Sequence, residues 1–151
     1  MRRCTPALCT AVLLACGPGD ARTADTAAGV VARQPIALAD VAGRWRMLAT
    51  TTQGDPLTVY ELAAGPDSSG WTITFQNRAP LPLRVVAVGG DSIVTEAGPY
   101  PSILQQNASV RSLRAVNRLV GDSLVGTFRA VYDTDSPDSV LYGRHAGRRI
   151  R

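Results

Sequence analysis

Leu113-Arg114-Ala115-Val116-Asn117-Arg118-Leu119-Val120-Gly121-Asp122-Ser123-Leu124-Val125-Gly126-Thr127-Phe128-Arg129-Ala130-Val131-Tyr132 decides the fold. Two apolar-polar runs of period two meet at Gly121-Asp122, and Gly accepts the positive φ of a two-residue hairpin loop at no steric cost. With that loop the register follows. Val120 faces Ser123, Leu119 faces Leu124, Asn117 faces Gly126, Ala115 faces Phe128 and Leu113 faces Ala130. One side then carries Leu113, Ala115, Leu119, Leu124, Phe128 and Tyr132. The other carries Arg114, Val116, Arg118, Val125, Thr127 and Arg129. A slip of one residue would bury the arginines, so the pattern specifies its register.

Val88-Gly89-Gly90-Asp91-Ser92-Ile93 repeats the Gly-Asp-Ser turn between apolar runs. Trp45, Met47, Ala49 and Thr51 alternate with more polar neighbours. So do Thr58, Tyr60 and Leu62, and again Trp71, Ile73 and Phe75. The reading predicts about eight strands, near 44–51, 57–63, 70–76, 83–88, 92–97, 109–119, 123–132 and 139–146. Pro80 and Pro82 keep 78–82 out of a central strand. Ser102 to Asn107 is the one place after Val41 where a short helical turn is expected. Short connections make sequence neighbours spatial neighbours. The expected fold is all-β, an antiparallel up-and-down barrel, with a two-sheet sandwich as the alternative. Closure favours the barrel because it removes edge strands.

The chain has 151 residues, enough for one such domain, and 45% hydrophobic residues, ordinary for a globular core. All 16 basic residues are Arg. The N-terminus reads as export machinery: Arg2 and Arg3, then an apolar run Ala7–Ala15 too short to cross a bilayer as a helix. Leu13-Leu14-Ala15-Cys16 resembles the bacterial lipobox, in which the Cys is lipidated through its thiol and becomes the new N-terminus. The resemblance implies a signal peptide 1–15, a lipidated tether 16–40 and a barrel domain 41–151. The alternative is an ordinary signal peptide cut nearby. Gly17, where an Asp would resemble an inner-membrane retention signal, points to the periplasmic face of the outer membrane. The tether, rich in Ala, Thr and Gly, has a reach of about 25–29 Å.

Processing would remove Cys4 and Cys9 and lipidate Cys16, leaving no free thiol for a disulfide or a thiolate metal site. Loss of Arg2 and Arg3 leaves 14 basic residues against 12 acidic, a formal charge of about +2. That net charge does not point to nucleic acid.

Gly43-Arg44-Trp45 opens the first strand and resembles the Gly-x-Trp of the calycins, which include lipocalins, fatty-acid-binding proteins and avidin. In lipocalins the Trp closes one barrel end and a late Arg packs across it, which implies that role for Arg148 or Arg149. A lipocalin-type C-terminal helix and helical lid are missing. The chain also resembles small Gram-negative envelope lipoproteins sharing a segment like Gly98-Pro99-Tyr100, a resemblance that implies no activity.

Catalysis is not expected. A chain with no Lys, no thiol after processing and one His, His145, lacks an activated nucleophile, and no Gly-x-Ser-x-Gly elbow occurs. His145 lies late in the chain on an inward parity, a layout that resembles haem-binding barrels such as nitrobindins. Their Gly-x-Trp-x-Gly opening is absent, and a buried or solvated His is the plainer reading. Asp133-Thr134-Asp135-Ser136-Pro137-Asp138 lacks the Gly and Glu of a calcium loop and reads as a solvated turn. No cofactor or metal is expected. Arg114 and Arg129 fall opposite each other, a pairing that costs energy unless an anionic lipid, an acidic partner, Glu61, Glu96 or solvent intervenes.

Two functions remain. One is a binding module whose barrel holds a small apolar ligand or lipid, lined by Tyr60, Trp71, Phe75, Phe128 and His145. The other is a non-enzymatic structural or interaction module with a filled barrel, meeting an envelope protein partner. An eight-stranded interior accommodates either, and a continuous apolar cavity would favour binding.

Overall fold

The structure, a computed structural model, describes residues 35–134 and 139–151. The expected signal peptide, Cys16 and most of the tether lie outside them, as does the tip of the acidic turn. Residues 32–151 form one compact unit.

The described residues form a short helix α1 (Leu38–Val41) and ten strands. These are β1 (Gly43–Thr51), β2 (Pro56–Ala64), β3 (Thr72–Phe75), β4 (Leu81–Pro82), β5 (Arg84–Gly89), β6 (Ser92–Ala97), β7 (Tyr100–Pro101), β8 (Ser109–Val120), β9 (Ser123–Tyr132) and β10 (Val140–Arg149). All pairings are antiparallel, in the order β4-β3-β2-β1-β10-β9-β8-β6-β5, with β7 on β8. The first and last long strands are neighbours. β4 and β5 are halves of one run, 81–89, whose start pairs with β3 and whose remainder pairs with β6. At the bend the Leu83 N–H donates to the Trp71 carbonyl at 2.9 Å. The sheet thus comes round almost to a closed, calycin-like barrel with eight positions. Pro82 is tolerated because its two-residue strand lies at this seam.

The hairpin register is the one that the period-two pattern demands, from Val120 opposite Ser123 through Arg114 opposite Arg129 to Leu113 opposite Ala130. Gly121 and Gly90 carry φ of 56° and 54°, placing glycine at the first position of each two-residue loop.

Two expectations are corrected. The folded unit begins before Val41. The Ile36 N–H donates to the Gly90 carbonyl at 2.8 Å, Ile36 and Leu38 pack on the core, and Val41 is fully buried. Asp40 Oδ2 accepts the Ala37 N–H at 2.8 Å and starts the helical turn. Residues 36–40 are therefore not free tether. Ser102 to Asn107 is not helical. Ser102 Oγ accepts the N–H groups of Leu104 (3.1 Å) and Gln105 (2.9 Å), and the Ser102 N–H donates to the Ala108 carbonyl at 2.8 Å. These local bonds hold a looped turn.

Candidate functional site: two ends of one barrel

The Gly-x-Trp end is filled by large buried side chains. Trp45 is 1% exposed, and its Nε1 donates to the Val41 carbonyl at 2.8 Å. The Arg149 guanidinium stands 4.5 Å from the Trp45 ring centroid. It also donates through Nη1 to the Ala42 carbonyl and through Nη2 to the Asp40 carbonyl, the latter at 2.9 Å. One cation thus covers the indole face and satisfies two carbonyls of the α1 turn. Gly43 is required for this approach. Its φ is 130°, and a Cβ there would lie 2.7 Å from Arg149 Nη1. Trp71, Met47, Ile93, Leu124 and Val41 complete the plug. Arg148, the other candidate, instead lies on the outer wall opposite Arg46.

The far end is hollow. A cavity of about 60 Å³ lies among residues of β2, β3, β6, β8, β9 and β10 and the 102–104 turn. From β1 it is reached by Ala49, two residues along the inner face from Met47, and none of the plug residues lines it. Small side chains open the space: Ala49, Ala115 and Ala130 all face it. Leu57, Ile103, Leu104 and Leu141 also line it, and Leu104 is 41% exposed at the mouth.

Of the five residues expected to line a ligand site, Tyr60, Phe75, Phe128 and His145 do so, and Trp71 does not. Trp71 precedes β3 and lies at the plugged end, where its Nε1 donates to the Asp67 carbonyl at 2.7 Å. The other four form a chain of rings. Phe75 lies 5.9 Å from Tyr60, Tyr60 lies 6.4 Å from His145, and His145 stacks on Phe128 at 6.2 Å. Tyr100 extends the chain, 5.9 Å from Phe75. Tyr132, which the hairpin parity places on the inner face, also lines the cavity, and so does Tyr100, which the strand parity did not single out. Asn117 had a usable signal: it shares the inward parity of Ala115 and Leu119. Its Nδ2 donates to the Ile93 carbonyl and to Thr95 Oγ1, both at 3.3 Å.

His145 is 5% exposed, and burial pulls its pKa down to about 4, only partly opposed by the Val116 carbonyl. It is therefore neutral near pH 7. Its Nδ1 lies 3.1 Å from the Tyr60 hydroxyl. Burial pushes the Tyr60 phenol up, so this contact joins two neutral groups. His145 Nε2 has no partner in good hydrogen-bonding geometry. It lies over Gly126, where a Cβ would collide with it and with the Val116 carbonyl. The wall crowds Nε2, so neither its setting nor the cavity's size suits a haem. Among the described residues no group of His, Cys, Asp or Glu is arranged to hold a metal ion.

The arrangement can enclose a small apolar molecule between aromatic walls, with Thr95, Ser102 and Asn117 as polar neighbours. No protein-family profile, curated protein or solved structure matches the chain.

Proposed function

We propose that this chain is a lipid-anchored envelope protein, held at Cys16 on the periplasmic face of the outer membrane, whose barrel takes up a small apolar molecule at its hollow end. The observation that carries the reading is the cavity, walled by Phe75, Phe128, Leu57 and Leu141 and opened by three alanines. Its 60 Å³ is several times what one water needs and well below a drug-sized pocket. The ligand class is therefore the end of an acyl chain or another apolar group of a few heavy atoms. No group in the cavity offers an activated nucleophile, so the proposal is binding and not turnover.

Methyl NMR on the chain from Gly17 onward tests the cavity. Titrated xenon should shift the Ala49, Ala115 and Ala130 methyl signals saturably. Ala115→Leu, which fills the space, should abolish the shifts and keep the fold. No saturable shift in the unsubstituted chain overturns the binding reading and leaves the filled structural module. The anchor has its own test: radioactive palmitate should label the full chain and not Cys16→Ser. Label retained on the variant rejects lipidation there.

A further inference from the structure

The four adjacent strands β1, β10, β9 and β8 carry nine arginines and no Asp or Glu. Among the described residues, acidic side chains on strands are confined to Glu61 in β2 and Glu96 in β6, next to this wall. The other acidic side chains of the described residues lie in turns or in α1. Arg149 is committed to Trp45. Ion pairs occupy the margins: Arg44 with Glu61 (2.6 Å), Arg111 with Asp133 (2.9 Å), Arg118 with Asp91 (3.4 Å) and Arg114 with Glu96 (3.9 Å). In the centre, Arg144 and Arg148 have no acidic partner among the described residues, Arg46 stands opposite Glu61 in register but Glu61 is ion-paired with Arg44, and Arg129 meets Tyr142 alone, its hydroxyl at 3.3 Å and its ring at 6.0 Å.

The fold sets like charges face to face. Arg46 pairs with Arg148 across β1 and β10, and Arg114 with Arg129 across β8 and β9. Such pairs destabilise a sheet unless an anion screens them. Between the arginines runs an apolar row in register, Val59 opposite Leu48 and Leu48 opposite Ala146. Leu48 and Val59 are 42% and 43% exposed, and Tyr142 is 58% exposed beside Arg129.

We infer that this wall docks on an anionic phospholipid surface, a function separate from the cavity and from any lipid at Cys16. The arginines complement phosphate head groups. Leu48, Val59 and Tyr142 suit the boundary between head groups and acyl chains, where apolar and aromatic side chains add to the electrostatic attraction. A polynucleotide would use the charge and leave the aliphatic row without a role, so the membrane is the partner favoured.

The test uses the chain from Gly17 onward, which keeps the compact unit 32–151 and lacks both Cys16 and the apolar run before it. It is sedimented with phosphatidylcholine vesicles, with and without phosphatidylglycerol. Binding should require the anionic lipid and weaken with salt. Arg144→Glu with Arg148→Glu should lower it by at least about tenfold. Arg78→Glu with Arg84→Glu makes the same charge change away from the wall, since β5 lies half-way round the barrel from β10, and should change binding by less than about twofold. Thermal unfolding checks that both variants are folded. If the glutamates unfold the barrel, Arg144→Gln with Arg148→Gln replaces them, with a smaller loss expected. Four outcomes overturn the inference: no binding to anionic vesicles, equal binding without phosphatidylglycerol, equal loss in wall and control variants, or displacement of the protein from vesicles by a DNA duplex.

Discussion

The two ends of this barrel are built from the same strands and differ in what their inner faces hold. At one end the large side chains of Trp45, Trp71, Met47, Ile93, Leu124 and Val41 are fully buried, and Arg149 covers the indole from outside. At the other, inward positions alternate rings with alanines, and the rings cannot fill what the alanines vacate. One end is built for stability and the other gives up packing for space. Close-packed interiors lose dispersion contacts wherever a void remains, so the hollow end is the weaker-packed half.

Removing a large side chain from the plug is the hardest test of that contrast. Trp45→Ala should cost about 5 kcal/mol, because its neighbours cannot collapse into the gap and Arg149 loses its platform. Phe128→Ala, beside an existing void and only half-buried, should cost about 3 kcal/mol. Urea unfolding of both variants checks the difference, and equal costs would mean that the ends are packed alike.

The hollow end should also be the acid-sensitive one. His145 titrates near 4 when folded, against an ordinary value of 6.5. Between these pH values the unfolded chain binds the extra proton. The contribution is present in full above about pH 6.5 and is lost as pH falls toward 4, by about 3 kcal/mol in all. His145→Gln should remove that part of the pH dependence from stability curves measured across the window. An unchanged slope would show that His145 is hydrated when folded.

Arg149→Ala should cost about 1–2 kcal/mol, from the cation–π contact and the two carbonyls it leaves to solvent. Its thermal midpoint should fall while xenon binding at the other end persists. The smallest effect is expected on the outer wall. Arg129→Ala should change stability by less than about 0.5 kcal/mol, the loss of its Tyr142 contact being offset by relief of Arg114. A cost close to that of Phe128→Ala would contradict the outward placement of Arg129.

The hairpin register was legible in the sequence because side chains of a strand alternate strictly, and only one register keeps Arg114, Arg118 and Arg129 out of the core. Trp45 and a C-terminal arginine were legible through Gly43-Arg44-Trp45, and the structure selects Arg149 over Arg148. The cavity was legible only in part. Parity places Tyr60, Phe75, Phe128 and His145 inside without saying at what height each lies, and Trp71 shares their parity while sitting at the opposite end. The 102–108 turn was misread because Ser102 Oγ bonds N–H groups within its own turn, a local competition that no hydrophobic period records.

The sequence alone determined which side chains face in and where the hairpins turn, since these follow from a two-residue period and from glycine's backbone freedom. Tertiary structure alone decided that 81–89 bends to serve two neighbours, that 36–41 joins the core and that the cavity lies at the end away from Trp45. Those outcomes depend on the heights at which distant strands meet round the barrel. Height is set by register summed over every pairing, and no single segment contains that sum.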